Sequence, residues 1–144
     1  MRFWDSSAVV PLIVRQPRSV QADHWLADDP DVVTWTLTLV EIVSALRRLV
    51  RERKLTEVTA RQAEAVASDL SGHFHMISDI DRVKALACRA LRLYPLRAND
   101  ALQLAAALAW ADGHPEGLMF HTLDERLAHA AALEGFAIQD TRRK

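Results

Sequence analysis

The stretch that decides the fold of this chain is Arg2-Phe3-Trp4-Asp5, a short apolar run that ends in an acidic residue. Similar runs recur at 32–35 and 118–121, and a segment with helical periodicity follows each of them. Short strands that alternate with helices are typical of a parallel sheet with right-handed crossovers and helices on both faces. The sequence therefore predicts an α/β fold.

The rest of the chain can be assigned to alternating strands and helices without a linker or a repeat, which predicts a single domain over 1–144. Two of the helices are separated by only a short break and predict a helical hairpin at about 37–71. Such a hairpin is longer than a strand crossover needs, so we expect it to pack on a partner or to close over a site. The predicted strands lie near 2–5, 32–35, 74–77, 118–121 and 136–139, and the predicted helices near 7–13, 18–27, 37–54, 56–71, 80–93, 99–111 and 124–134.

Composition restricts the possible partners and the cellular compartment. Of the 144 residues, 50% are apolar and 26% are charged, which is ordinary for a globular domain. The formal net charge of −1 means that a nucleic-acid partner would have to meet a local basic patch. The single cysteine, Cys88, cannot form an internal disulfide, and its apolar helical surroundings predict a core position. We expect a cytoplasmic protein without a signal peptide or a membrane span.

Four acidic residues carry the chemical signal of the sequence: Asp5, Glu41, Asp100 and Asp124. Each follows a predicted strand or opens a helix that returns to the same sheet. The carboxyl ends of parallel strands share one edge, where ligands bind, and carboxylates gathered there repel one another unless a cation lies among them. Hard oxygen ligands favour Mg²⁺ or Mn²⁺, which can activate water and stabilise the leaving oxygen of a phosphodiester. The sequence therefore predicts a divalent-metal site.

Each acid also has a structural explanation that competes with the metal site. Asp5 could be a helix N-cap, and Asp100 lies in a first helical turn, where any anion is favourable. Glu41 has no cationic partner three or four residues further along its helix, which favours a functional role.

Capping patterns separate the remaining acids from one another. Thr122 and Glu125 have the form of a capping box, which would leave Asp124 free for another task. The segment 78–81, Ser-Asp-Ile-Asp, also fits a helix cap, so we expect its two aspartates to lie outside the site. No glycine-rich phosphate loop and no nucleophile elbow occurs in the sequence, and one cysteine excludes zinc sites that need several.

The four acids stand in four patterns that occur in order along nearly the whole chain. These are D-[ST]-[SN]-A at 5–8, T-x-x-E-x-x-x-A-L at 38–46, L-x-x-x-D-A-L-x-L-A at 96–105 and T-x-D-x-x-L-x-x-x-A at 122–131. Together they resemble the PIN-domain ribonucleases, and specifically the VapC-type toxins of bacterial toxin–antitoxin pairs.

The resemblance implies a PIN-like three-layer sandwich, with a five-stranded parallel sheet in the order 3-2-1-4-5. It also implies Mg²⁺-dependent endoribonuclease activity, with Asp5 and Asp100 as direct ligands and Glu41 as a ligand or as the residue that orients the attacking water. Ser6 and Thr122 are expected to donate hydrogen bonds at the site. The residues that the resemblance implies as both metal-binding and catalytic are Asp5, Glu41, Asp100 and Asp124.

One departure from the family is Gln103, where many relatives carry His. Because it lies one helical turn beyond Asp100, we do not expect it to decide activity.

The resemblance further implies a homodimer and a cognate antitoxin. The hairpin at 37–71 is the expected antitoxin groove, and the antitoxin would bring an apolar helix and a cationic side chain to the acids. RNA must meet positive charge, and the candidates are Arg15, Arg18, Arg47, Arg48, Arg51 and Arg97.

Two other classes compete with a nuclease. A non-catalytic PIN-like module that binds RNA or a partner would be favoured by loss of one of the four acids, and all four are present. Phosphoacceptor receiver domains and haloacid-dehalogenase-like phosphatases need a lysine near the acids. The only lysines are Lys54, Lys84 and Lys144, which lie in predicted helices or at the terminus.

Overall fold

The computed structural model describes residues 1–139, and this part of the chain contains five strands and seven helices. Each predicted element is confirmed to within a few residues. The strands are β1 (Arg2–Trp4), β2 (Val32–Trp35), β3 (His75–Ile77), β4 (Met119–His121) and β5 (Ala137–Ile138). The helices are α1 (Ser6–Ile13), α2 (Ser19–Asp28), α3 (Thr38–Arg51), α4 (Glu57–Ser71), α5 (Ile80–Leu93), α6 (Ala98–Trp110) and α7 (Glu125–Glu134).

The five strands form one parallel sheet in the order β3-β2-β1-β4-β5, as the family resemblance implied. In its register, Phe3 of the central strand lies opposite Val33 on one side and Phe120 on the other. The chain builds outward from β1 in one direction and then returns to add β4 and β5 on the opposite side. The switch point therefore lies between β1 and β4, which is where open α/β sheets bind ligands.

Two apolar clusters fill the space on either side of the sheet and make the predicted three layers. Successive residues of a strand point to opposite faces. Phe3 accordingly packs with Leu104 of α6 and Leu127 of α7, whereas Trp4 packs with Trp25 of α2 and with α1 and α3. Packing of the helices on the two faces of the sheet thus fixes where each helix begins relative to the sheet edge.

Helices α3 and α4 form the predicted hairpin and pack against each other. Arg47 of α3 joins them, because it donates hydrogen bonds to Glu57 at 2.7 Å and to Glu64, both on α4. Buried Ala63 and Ala67 of α4 let the two helix backbones approach. Within residues 1–139, no helix has the length and apolar character that crossing a membrane requires.

The expectation of a core position for Cys88 is wrong, because its side chain is exposed. Helix α5 buries Val83, Ala87 and Ala90 instead. The periodicity of α5 was visible in the sequence, but the packing of α6 against it decides which side of the helix is covered.

Candidate functional site

Asp5 lies at the centre of the sheet edge, where β1 ends and α1 begins. It is the N-cap of α1, and its Oδ1 accepts hydrogen bonds from the backbone N–H of Ala8 at 3.2 Å and from Ser7 Oγ at 2.7 Å. The residue is only 3% exposed. Burial raises the pKa of Asp5 from 3.8 to about 7, and the charge of Glu41 adds to this effect. Asp5 is therefore both a structural cap and an electrostatically perturbed carboxyl group.

Glu41 lies in the first turn of α3 and is held from two sides. Its Oε2 accepts a hydrogen bond from Ser6 Oγ at 2.8 Å, and its Oε1 accepts one from Gln103 Nε2 at 3.0 Å. Burial raises the pKa of Glu41, and the charge of Asp100 raises it further. As its sequence suggested, Glu41 has no ion-pair partner in the described part of the chain.

Asp100 lies in the first turn of α6, as predicted. Burial raises its pKa, and the nearby charge of Asp124 contributes in the same direction. The cations Arg97 and Arg126 act against this rise. Asn99 also donates a long hydrogen bond of 3.3 Å to Asp100 Oδ1. Asp100 thus stands between another acid and two arginines.

Asp124 is the N-cap of α7, and its Oδ1 accepts a hydrogen bond from the N–H of Leu127 at 2.8 Å. The predicted capping box of Thr122 and Glu125 is therefore wrong. Thr122 precedes the capping position and does not cap the helix. Its Oγ1 instead accepts a hydrogen bond from the N–H of Asp124 at 3.0 Å and lies 3.2 Å from Ser7 Oγ. Asp124 is consequently not free of a structural role, although it still faces the other acids.

A chain of hydrogen bonds joins the caps of α1 and α7. Ser7 Oγ uses its hydrogen on Asp5 and accepts from the N–H of Leu123 at 2.8 Å. The hydroxyl of Thr122 must then be the donor in its contact with Ser7. This chain fixes Asp5 relative to Asp124. It also identifies Ser7, whose role no pattern in the sequence indicated, as a contact of the site.

The four acids converge on one edge. Asp5, Asp100 and Asp124 line a cleft of about 470 Å³, which we call the acid cleft. Glu41 lines an adjoining side cavity of similar size. The two spaces share the residues Ser6, Ser7, Arg48 and Asn99.

Three arginines give this acidic cleft a mixed charge. Arg48, Arg97 and Arg126 line it, and all three are exposed. The first two were among the RNA-contact candidates, whereas Arg126 was missed, although its position two residues after Asp124 in a first helical turn could have indicated it. Two other candidates are engaged elsewhere, since Arg47 joins the hairpin and Arg15 pairs with Asp23 at 2.8 Å.

The acids that were expected to lie outside the site do so. Asp79 is the N-cap of α5, and its Oδ1 accepts a hydrogen bond from the N–H of Arg82 at 3.1 Å. The capping pattern had predicted Ser78 at that position. Asp81 pairs with Lys84 on the same helix. Neither residue lines the acid cleft.

The acids do not form a finished ion site as they stand. Among residues 1–139, no group of three or more His, Cys, Asp or Glu side chains is placed to hold a metal ion. Neighbouring acids repel each other in three pairs, and in each pair the charge of one raises the pKa of the other. The pairs are Asp5 with Glu41, Glu41 with Asp100, and Asp100 with Asp124. The donor set consists entirely of carboxylates, which suits a hard divalent cation.

Comparison with known proteins defines the class to which this fold and this cleft belong. The family model described as the PIN domain matches residues 2–133. The chain therefore belongs to the PIN domain family. No curated protein matches the sequence significantly.

Among solved structures, the chain is similar to one titled "Crystal Structure of FitAcB from Neisseria gonorrhoeae". The match covers 97% of each chain at 18% sequence identity, with a TM-score of 0.65. At this identity the likeness shows that the fold is shared.

Proposed function

We propose that this protein is a Mg²⁺-dependent endoribonuclease toxin that cleaves phosphodiester bonds in RNA and is neutralised by a cognate antitoxin. PIN domains are in general metal-dependent nucleases. The observation that carries the proposal is the convergence of the four carboxylates at one edge of the sheet, near its switch point. Three of them line the acid cleft together with three arginines, and Glu41 lines the adjoining cavity.

The proposed metal-binding and catalytic residues are Asp5, Glu41, Asp100 and Asp124. The donor chemistry fits Mg²⁺, for which Mn²⁺ could substitute, and the repulsion among the acids gives such a cation a favourable place. When bound, a divalent cation of this type supplies activated water and charge stabilisation for the leaving oxygen. To share one ion, three of the carboxylates would have to move closer together, since no group of three among residues 1–139 is placed to hold one.

The side chains around the acids support roles in positioning the substrate. Arg48, Arg97 and Arg126 are exposed and can bind the phosphates on either side of the scissile bond. Glu41 is held by two hydrogen bonds and can orient the attacking water or accept its proton. Asp5 is buried at the floor of the cleft, where ionisation is costly without a cation.

The partners belong to the same proposal. In the hairpin, Val40 near the start of α3 and Val58 near the start of α4 are 64% and 66% exposed, and each offers an apolar contact to an antitoxin helix. A cationic side chain from the antitoxin would find the acids of the cleft nearby. We also propose a homodimer and a cytoplasmic location.

The competing function is a non-catalytic PIN-like module that binds RNA or a partner protein. It is favoured by one observation, which is that no three acidic side chains in residues 1–139 are yet close enough to hold an ion. The two functions differ in whether the acids are needed for cleavage.

A cleavage assay separates them. We expect the purified protein to cut structured RNA in Mg²⁺ or Mn²⁺ and EDTA to abolish the activity. Asp5→Asn and Asp100→Asn should each lower the rate by more than about 100-fold, since even the residues that only support a metal ligand are typically worth about 10–100-fold. The matched control is Asp79→Asn, which changes an acid at the same sheet edge that caps a helix outside the cleft.

The result of this assay can overturn the metal site. Full cleavage by Asp5→Asn or Asp100→Asn would do so. Absence of cleavage in the wild-type protein, together with retained RNA binding, would support the binding module instead.

A further inference from the structure

Gln103 is a buried polar residue that the proposed function does not use. It lies on α6, one turn beyond Asp100, and is 1% exposed. Its Nε2 donates hydrogen bonds to Thr38 Oγ1 at 3.1 Å and to Glu41 Oε1 at 3.0 Å. Within residues 1–139, its own Oε1 is buried without a hydrogen-bond partner. A buried oxygen without a partner is destabilising, so the hydrogen bonds that the amide nitrogen makes must favour this orientation of the side chain.

The orientation of the amide follows from the chemistry of its neighbours. The oxygen and nitrogen of an amide are distinguished by their hydrogen-bond partners. An ionised carboxylate only accepts hydrogen bonds, so the NH₂ group of Gln103 must face Glu41, while the hydroxyl of Thr38 can serve either orientation. Because the amide nitrogen donates to Glu41, the carbonyl oxygen of Gln103 points to a place where it has no hydrogen-bond partner within residues 1–139.

The two hydrogen bonds on Glu41 come from the helices that carry other acids. Ser6 is the first residue of α1, whose N-cap is Asp5, and it binds one oxygen of the Glu41 carboxylate. Gln103 of α6, the helix of Asp100, binds the other oxygen. Glu41 is therefore fixed relative to both neighbouring acids, although the charges of all three oppose this approach.

We propose, against the expectation from the sequence that Gln103 does not decide activity, that it is a positioning residue. It holds Glu41 at a set separation from Asp100, so that the two can share one divalent cation. Gln103 is too deeply buried to reach RNA, and its hydrogen bond to Glu41 is the contact through which it can influence the acids. This inference rests on the proposed metal-dependent function.

Metal binding measured apart from catalysis tests the proposal. Gln103→Met keeps the length and volume of the side chain but removes both hydrogen bonds. We expect the Kd for Mn²⁺, measured by calorimetry, to rise about 10–100-fold. This is the usual effect of removing a residue that orients a metal ligand by a hydrogen bond.

Tyr94→Phe is the matched control, since it removes one hydrogen bond, from Tyr94 to Glu134 at 2.7 Å, at the far end of α7 from Asp124. We expect it to leave the Kd for Mn²⁺ unchanged. An unchanged Kd in a folded Gln103→Met protein would overturn the proposal, as would an equal loss in Tyr94→Phe.

Kinetics distinguish positioning from a general loss of structure. For Gln103→Met we expect kcat to fall at low Mn²⁺ while KM for RNA stays constant, and we expect high Mn²⁺ to restore kcat. A merely destabilised core would lower the active fraction at every Mn²⁺ concentration, and that result would contradict the proposal.

A measurement on the wild-type protein covers the case in which Gln103→Met does not fold. We expect the side-chain NH₂ resonances of Gln103 to shift during a Mg²⁺ titration with the same midpoint as the backbone amide of Asp100. Resonances that stay in place while the Asp100 amide shifts would overturn the inference alone. Wild-type protein that neither binds Mn²⁺ nor cleaves RNA would overturn the proposed function as well.

Discussion

Asp5 combines two tasks that have opposite electrostatic demands. As an N-cap, its oxygen accepts hydrogen bonds at the positive end of α1, which favours the ionised form. As a buried group beside Glu41, it is expensive to ionise. Burial is the larger effect, so the pKa of Asp5 lies at about 7 in the folded protein against 3.8 in the usual reference state.

This balance predicts how stability depends on pH. Between pH 4 and pH 7 the unfolded chain has an ionised Asp5 while the folded protein keeps it protonated, so metal-free stability should fall as pH rises through this window. Asp5→Asn removes the penalty and keeps a competent N-cap. We expect it to stabilise the metal-free protein at pH 8 by about 2–4 kcal/mol, because each pKa unit corresponds to about 1.4 kcal/mol.

Thermal or urea unfolding in EDTA at pH 4 and pH 8 checks this prediction. The wild type and Asp5→Asn should differ little at pH 4. A difference of the same size at both pH values would show that the ionisation of Asp5 is not its cause. Mn²⁺ should then stabilise the wild type more than the variant at pH 8.

At the scale of secondary-structure elements, the four acids share one position. Asp5 and Asp124 are N-caps of α1 and α7, and Glu41 and Asp100 lie in the first turns of α3 and α6. Four helix N-termini therefore point their partial positive charge toward the site. This arrangement offsets part of the repulsion among the carboxylates and explains how they can be gathered at one edge.

The hairpin depends on a contact that its sequence pattern did not reveal. Arg47 connects α3 to Glu57 and Glu64 of α4. We expect Arg47→Met to loosen α4, so that its backbone amides exchange faster with deuterium while those of β1 and α6 are unaffected. The control is Arg15→Met, which removes an exposed ion pair with Asp23 outside the hairpin. Unchanged exchange in α4 would show that apolar packing alone holds the hairpin.

Local patterns were sufficient to predict the elements but not the contacts between them. The apolar runs and the helical periodicity gave every strand and helix in residues 1–139, because both signals are carried by neighbouring residues. The predicted N-cap of α7 was wrong because Thr122 and Asp124 both fit the capping pattern. Only the contact between Thr122 and Ser7 of α1 decides which of the two caps the helix. The contact between Gln103 and Glu41 spans 62 positions and leaves no trace in either local pattern.

At the scale of the whole molecule, the sheet order converts four distant acids into neighbours. The strand order was available only through the family resemblance, since the alternation of strands and helices is compatible with more than one parallel order. The gathering of the acids at one edge was predicted from the parallel sheet alone, whereas the strand order decides which of them are neighbours. The exposed surfaces that would receive RNA or an antitoxin are less predictable from the sequence. Long arginine side chains are flexible, and their partners depend on which residues the fold brings near them.

The proposed function makes a prediction for the intact cell. Expression of the chain without a partner in a bacterial host should arrest growth, because RNA cleavage would be unopposed. Asp100→Asn should abolish the arrest at equal protein levels, and Asp79→Asn should not. Growth curves with protein levels measured by immunoblot test this. Arrest by the wild type and by Asp100→Asn alike would indicate toxicity that does not depend on the cleft.

The caps at Asp5 and Asp124 have a consequence for inheritance. Asparagine caps a helix about as well as aspartate does, and the codons of the two residues differ by one base. A single point mutation at either position can therefore remove a carboxylate from the cleft and leave a folded product with its hairpin surface intact. Under the proposed function, a harmless allele of this gene lies one base away and could still titrate the antitoxin in the same cell.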